Sequence, residues 1–107
     1  MQDYANITED GTYNLFKVES PCPVQVDVTG DFGGGSVVFR KSRTPDGTYV
    51  DFISDSLSVT YTSDANPIFY TGGLYFQVVV SGTSGADISI GASGKYVVDH
   101  PDAGLVS

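Results

Sequence analysis

Residues 36–53 read SVVFRKSRTPDGTYVDFI and predict the element around which the fold is built. The two flanks, SVVFRKSR and TYVDFI, are rich in β-branched and aromatic residues, which favour extended strands. Between them, Pro45 fixes its own φ and Asp46 tolerates the bridge region, while Gly47 is expected to supply the positive φ that closes the loop. The stretch therefore predicts a β-hairpin.

Alternating side chains predict further strands on both sides of this hairpin. Residues 24–28, VQVDV, place their valines on one face and polar side chains on the other, which indicates one buried and one solvated face. Residues 74–81, LYFQVVVS, are apolar along one face and form the best candidate for a central strand. Residues 56–62 and 87–90 alternate in the same way, and the side chains expected to point inward are Leu57, Val59, Tyr61, Ile88 and Ile90.

Turn signals recur about every 8–12 residues, and no stretch places apolar residues at helical spacing over three turns. The pattern favours an all-β fold, an antiparallel β-sandwich of about seven to nine short strands with jelly-roll or immunoglobulin-like topology. An antibody-type domain is disfavoured, because the chain has one cysteine and no tryptophan. Its 107 residues predict a single domain, 1–107. Residues 1–8 could be an edge strand or an extended arm, and residues 99–107 a second arm.

Charge and hydropathy narrow the range of partners. The net charge is −8, which repels phosphate backbones and anionic membrane surfaces, so neither nucleic acid nor membrane is an expected partner. No apolar run approaches the ~20 residues of a membrane-spanning helix. The N-terminal residues lack the positive and apolar regions of a secretory signal.

Catalytic and metal-binding constellations are not predicted. His100, the only histidine, sits in a turn-like Asp-His-Pro-Asp and is expected to be solvated rather than a catalytic base. Cys22, between two prolines, is expected to be a small buried or half-buried apolar side chain. One cysteine and one histidine cannot form a zinc site. Calcium stays an alternative, since carboxylates such as Asp99 and Asp102 could converge from loops. The sequence thus predicts no enzyme, no cofactor and no metal.

Two surface features could serve recognition. Arg40, Lys41 and Arg43 are three of the five basic residues and crowd one strand end. They form either a solvated hairpin neutralised by nearby acids or a docking patch for an acidic neighbour. A set of tyrosines is expected to be divided between core and surface, and any that line a groove could stack on sugars. These tyrosines are Tyr49, Tyr61, Tyr70 and Tyr75.

The chain resembles the small β-sandwich accessory proteins of tailed bacteriophage virions. The residues that carry this resemblance are the glycines 33–35, the following strand 36–42 and residues 44–49, TPDGTY, with the strand after them. Residues 74–78, LYFQV, are similar to the penultimate core strand of those proteins. The resemblance covers about half of the chain, and cellulose- and sugar-binding modules share the same passages.

This resemblance implies a non-enzymatic virion structural protein, most specifically a capsid decoration (cement) protein. It would act as a homo-oligomer, expected to be a trimer, on the major capsid protein or other virion subunits, in a virion made in the host cytoplasm. A tail, neck or fibre component is the alternative within virions, and a carbohydrate-binding module is the alternative from another class. The apolar groups of the two terminal segments and the basic patch supply the predicted partner contacts: Tyr4, Ile7, Arg40, Lys41, Arg43, His100, Leu105 and Val106.

Overall fold

The computed structural model describes residues 2–54 and 57–106, which form antiparallel β-strands and no helix. The strands are β1 (Gln2–Ile7), β2 (Gly11–Val18), β3 (Cys22–Asp31), β4 (Ser36–Ser42), β5 (Val50–Asp51), β6 (Ile53–Ser54), β7 (Leu57–Ser58), β8 (Thr60–Tyr61), β9 (Ile68–Thr71), β10 (Leu74–Ser81), β11 (Asp87–Ser93) and β12 (Val97–Leu105). The predicted all-β sandwich is confirmed. The described strands exceed the seven to nine expected, because the segment after the hairpin turn is cut into two-residue pieces.

The order of pairing identifies the topology as a jelly roll. β1 pairs with β11, β2 with β10, β3 with β9, and β4 with β5 and β8, so partners run inward from both ends of the chain. Such a pattern is one long hairpin, and rolling it up adds the pairs β11–β3 and β10–β4. A four-stranded sheet, β1-β11-β3-β9, thereby faces a six-stranded sheet, β12-β2-β10-β4-β5 with β8 also on β4. Jelly roll was one of the two topologies expected from the sequence.

The alternation read from the sequence locates the core between the sheets. Val24, Val26 and Val28 on β3 are fully buried, and the residues between them are not, as predicted. β10 lies between β2 and β4, which confirms it as a central strand. Each fully buried valine contributes roughly 1.5–3 kcal/mol of transfer free energy, so three on one strand hold β3 firmly in register.

Aromatic rings fill the space between the sheets and close one side of the sandwich. Phe16 and Phe76 stack with ring centroids 5.2 Å apart. Phe52, just after β5, lies edge-on to both Phe69 at 4.9 Å and Phe76 at 5.4 Å. Because Phe69 belongs to β9 and Phe76 to β10, Phe52 ties the two sheets together at the side where β9 and β5 are the outermost strands.

A β-bulge on β2 explains why this strand contributes apolar residues at both odd and even positions to the core. Phe76 pairs with Phe16, whereas the next residue, Gln77, pairs with Asn14, so Leu15 is an extra residue. Leu15 is fully buried. The bulge turns Asn14 and Gln77 to the outer face of the larger sheet, where Gln77 Nε2 donates to Asn14 Oδ1 at 3.0 Å.

The predicted hairpin exists, but its turn works differently from the prediction. Lys41 pairs with Val50, and the loop between the strands spans residues 43–49. Gly47 is not among the positive-φ glycines, so that part of the prediction is wrong. A Cβ at Gly47 would meet the Thr44 hydroxyl, so a larger residue there would require the Thr44 side chain to move.

Both terminal segments are edge strands. Gln2–Ile7 pairs with β11, and Val97–Leu105 pairs with β2, so residues 2–7 and 99–105 are not free arms. Gln2 Nε2 also donates to Asp99 Oδ1 at 2.8 Å and joins the two segments. The ends of both predicted arms, at positions 1 and 107, lie outside the described residues.

The strand expected over residues 56–62 is broken into β7 and β8. Val59, between them, is buried, and Tyr61 packs against the core, as predicted. Position 56 and the side chain at Leu57 lie outside the described part of the chain, and so does the prediction made for them.

Candidate partner-contact site

Two residues predicted to contact a partner are instead part of the interior. Ile7 is 0% exposed, because on an edge strand one face still packs on the core and the alternation of β1 turns Ile7 to that face. His100 is 2% exposed. Tyr4 is half-buried, with its ring centroid 5.3 Å from that of Phe16. Of the terminal residues predicted, only Leu105 and Val106 present most of their side chains to solvent.

The three basic residues at the hairpin have three different environments. Arg40 lies on the outer face of the larger sheet, with Nε 3.3 Å from Asp51 Oδ1. Lys41 places its ammonium 5.7 Å from the centroid of the Phe52 ring. Arg43 is exposed on the loop after β4. Arg40 therefore fits the interpretation of a neutralised hairpin, while Lys41 lies over an aromatic ring and Arg43 faces solvent.

Lys41 and Arg43 line a groove of about 450 Å³, which we call the basic groove. The pairing of β4 with β5 sets Val50 beside Lys41, so an exposed apolar side chain flanks the cation. The floor is the Gly72-Gly73 turn between β9 and β10. A Cβ at Gly72 would lie 2.2 Å from Pro21 N, so the backbone here must stay bare. The other lining residues are Ser42, Thr48 and Leu74.

β9 leads directly into this groove and carries the most exposed large apolar side chains among the described residues. Ile68 is 66% exposed and Tyr70 is 74% exposed. In the part of the chain that the structure describes, β9 ends the order of the smaller sheet, with β3 on one side only. We call β9 together with the basic groove the β9 corner.

The other sheet edges carry features that prevent strand addition. The register of β1 shifts between Asp3 and Ala5, and the register of β12 is interrupted between Asp99 and Gly104, where Pro101 also lies. β5 and β8 are two residues long each. Bulges, charges, prolines and shortness are the usual devices that protect an edge. β9 carries no bulge, charge or proline over its four residues, which pair with β3 in uninterrupted register.

A buried hydrogen-bonded chain fixes the loop that borders the groove. The amide of Asp102 donates to His100 Nδ1 at 2.9 Å, so Nδ1 carries no proton and Nε2 must. Nε2 lies 2.7 Å from the Tyr49 hydroxyl, which in turn donates to Pro45 O at 2.9 Å. With a neutral imidazole, both ring nitrogens of His100 and the Tyr49 hydroxyl have hydrogen-bond partners. His100 thereby ties β12 to the end of the loop that carries Arg43.

The pKa values of His100 and Tyr49 are both shifted from their ordinary values. Burial lowers the pKa of His100, and the nearby Asp102 carboxylate opposes that change. Burial also raises the pKa of Tyr49 to about 12, with smaller contributions from Tyr75, Asp102 and Asp46. Both shifts favour the neutral forms that the hydrogen bonds require.

The expectation of a solvated His100 is therefore wrong. The sequence Asp-His-Pro-Asp gave no sign of burial, because the cover comes from residues 43–49, which are distant in the chain. The exposure of the β9 pair, Ile68 and Tyr70, was not predicted either. Alternating Ile68 and Tyr70 between Pro67 and Gly72-Gly73 were a detectable signal, since a short uncharged strand between two chain breakers is typical of an edge.

Cys22 and the four tyrosines singled out in the sequence have the environments predicted for them. Cys22 is buried at the start of β3, as expected. The four tyrosines are divided as predicted: Tyr49 is buried, Tyr61 and Tyr75 are half-buried, and Tyr70 is exposed. Within residues 2–54 and 57–106, no three His, Cys, Asp or Glu side chains are grouped as for a metal ion. No helix in these residues is long and apolar enough to cross a membrane.

Comparison with protein families, curated proteins and solved structures found no match for this chain.

Proposed function

We propose that this chain is a non-enzymatic virion structural protein, most specifically a capsid decoration protein that binds the major capsid protein as a homotrimer. The observation that carries the proposal is the β9 corner. Large apolar side chains on an unprotected strand edge are rare on a protein that works alone, and they favour a contact with another protein.

The fold is compatible with this role, although a fold alone does not decide a function. Jelly rolls serve in viral capsid domains and in lectin domains. The resemblance to phage accessory proteins favours the first of these. The proposal also assigns a purpose to the rigid interior, because a decoration protein must hold its contact surface in one shape on the shell.

The mechanism is linkage between binding and assembly. A subunit that binds across neighbouring capsid proteins adds buried area to the assembled shell and none to its free parts, so it shifts the equilibrium toward assembly. The net charge of −8 discourages non-specific association away from the contacts that build the oligomer. Lys41 and Arg43 provide a local exception to that charge, and so a place where an acidic neighbour is attracted.

The test is occupancy of shells. Purified protein is added to shells of the major capsid protein encoded in the same genome, and sedimentation measures the bound fraction. We expect saturable binding and a higher melting temperature of the shell. The double variant Ile68→Lys, Tyr70→Lys should lose occupancy, and Val98→Lys, an exposed residue on β12, serves as the matched control. Absence of saturable binding by the wild-type protein would contradict the proposal.

Location and oligomeric state are tested separately. Electron microscopy of gold-labelled protein on whole virions distinguishes a shell position from the tail, neck or fibre alternative. Sedimentation equilibrium gives the number of copies in the free protein, and a monomer at micromolar concentration would contradict a stable trimer.

Exposure of the Tyr70 ring favours one second candidate, a carbohydrate-binding module. A tyrosine that is 74% exposed on a sheet edge can stack on a sugar face. Calorimetric titration with polysaccharides tests this candidate. Saturable binding that Tyr70→Ala abolishes and Tyr61→Phe retains would replace the decoration proposal.

A further inference from the structure

We infer that the β9 corner takes an extended segment of a partner protein, which adds one antiparallel strand to β9 and places carboxylates in the basic groove. This inference rests on the proposed function and deepens it, because it names the chemistry that the partner must present.

Hydrogen-bond register shows which backbone groups are available. Val26 N donates to Pro67 O at 2.9 Å, which makes this a hydrogen-bonded pair between β3 and the residue before β9. Two residues further along, Val24 and Phe69 are again such a pair. The alternation then turns the N–H and C=O groups of Ile68 and Tyr70 away from β3, toward the free edge. A strand laid along this edge would satisfy all of them.

Side chains on β9 define the apolar part of the segment. Ile68 and Tyr70 stand on the outer face of the smaller sheet, and Tyr70 pairs with the exposed Pro23 of β3. None of the four residues of β9 is charged. An added strand would therefore bring β-branched or aromatic residues beside Ile68 and Tyr70, because such cross-strand pairs stabilise a sheet.

Charge defines the other part. Among the described residues, the ion pair at the hairpin is that of Arg40 with Asp51, and it leaves Lys41 and Arg43 facing the groove without a carboxylate. The groove lies at the C-terminal end of β9, at Gly72 and Gly73. In an antiparallel addition the N-terminal end of the segment lies there. The segment should thus begin with acidic residues and continue with alternating β-branched ones.

A second copy of this chain is the weaker occupant. Two copies meeting at a four-residue edge would bury far less than the roughly 800 Å² per partner of a typical stable interface. Each copy also carries a net charge of −8, so association of two copies works against their repulsion. A short acidic segment brings charge of the sign that the groove attracts.

The test uses a synthetic peptide, Glu-Asp-Glu-Thr-Val-Thr-Ile-Thr-Val-Thr, labelled for fluorescence anisotropy, with the full chain. We expect saturable binding that weakens with added salt. A peptide in which lysines replace the acids, and one in which the acids follow the apolar part, should each bind about tenfold more weakly or worse, since each loses the groove contacts.

Variants separate the two halves of the site. Lys41→Glu with Arg43→Glu should lower affinity about tenfold or more and reverse the salt dependence, because added salt would then screen a repulsion. Tyr70→Pro removes an outward N–H without breaking a bond to β3, and it should bind more weakly than its matched control Tyr70→Ala. Circular dichroism of each variant confirms that it is folded.

Several outcomes would overturn the inference: no binding of the acidic peptide, equal binding of the lysine peptide, or a dimer in sedimentation that Tyr70→Pro dissolves. The last result would show that a second copy of this chain occupies the free edge of β9. Shell occupancy without peptide binding would reject this inference and leave the proposed function standing. Peptide binding without shell occupancy would reject the proposed function and retain the peptide site.

Discussion

At the scale of single residues, His100 shows how a titratable side chain can lie in an interior without a charge. Its two ring nitrogens have one donor and one acceptor as neighbours, the Asp102 amide and the Tyr49 hydroxyl, and this matches the neutral ring. Its ring also lies 5.3 Å from that of Tyr75, measured between centroids. The arrangement makes the hydroxyl of Tyr49 a structural group.

Replacing Tyr49 by phenylalanine should lower the free energy of unfolding by about 1–3 kcal/mol, because the N–H of His100 is then buried without an acceptor. Urea unfolding measures the change. Tyr70→Phe, which removes an exposed hydroxyl, is the control and should change stability by less than about 0.5 kcal/mol. Equal effects of the two substitutions would mean that the His100 contact adds no stability.

Stability should also fall when the pH drops below about 6.5, the ordinary pKa of histidine. The folded-state pKa of His100 is lowered, so the unfolded chain binds the proton first. The stabilising contribution of neutral His100 is fully present above the pKa of histidine in the unfolded chain, and it is lost as the pH falls through the pKa of the folded state. Protonation would place a second donor against the Asp102 amide, which already donates to Nδ1 of the neutral ring.

Melting temperatures between pH 7.5 and 5 measure this effect. His100 is the only histidine, so the variant His100→Gln should flatten the profile in that interval. A profile that is unchanged in the variant would assign the pH dependence to other groups.

At the scale of elements, the strands with a strict period of two could be predicted and those with long-range causes could not. The burial of Val24, Val26 and Val28 follows from alternation alone, because a strand with one face on the core needs no further information. The bulge at Leu15 depends on the partner strand, and the cover over His100 comes from a loop more than fifty positions away. Neither leaves a mark in its own stretch of sequence.

The edge strand β1 offers a direct test of what its apolar residues do. Ile7→Ala should cost about 2–5 kcal/mol of unfolding free energy, the usual range for a buried isoleucine, because Ile7 is in the core rather than at a contact. Val106→Ala, at an exposed position that was predicted beside it as a contact, should be nearly neutral. Chemical denaturation measures both. Similarly small effects of both substitutions would mean that Ile7 lies at the surface and not in the core.

At the scale of the whole molecule, the jelly-roll order makes most pairings distant in sequence. β1 must find β11, and β2 must find β10, before either sheet is complete. The same order explains why only part of the candidate site could be predicted. Lys41 and Arg43 stand out in the sequence as basic residues, whereas the turn before β10 is brought beside β4 and β5 only by the roll.

This topology predicts slow folding for a chain of its size. We expect refolding after dilution from urea to take milliseconds to seconds, as for other β-proteins with non-local pairing. Stopped-flow fluorescence of the tyrosines measures the rate. Complete refolding within microseconds would show that local contacts dominate the barrier.

Cys22, the single thiol of the chain, is buried at the residue that pairs with Thr71, the last residue of β9. An alkylating reagent can reach its sulfur only while the packing around it opens, and separation of the end of β9 from β3 is one such opening. The rate of Cys22 alkylation under native conditions therefore reports on opening of the structure around the end of β9. A ligand that binds along β9 should lower this alkylation rate, and the measurement needs no label on the protein.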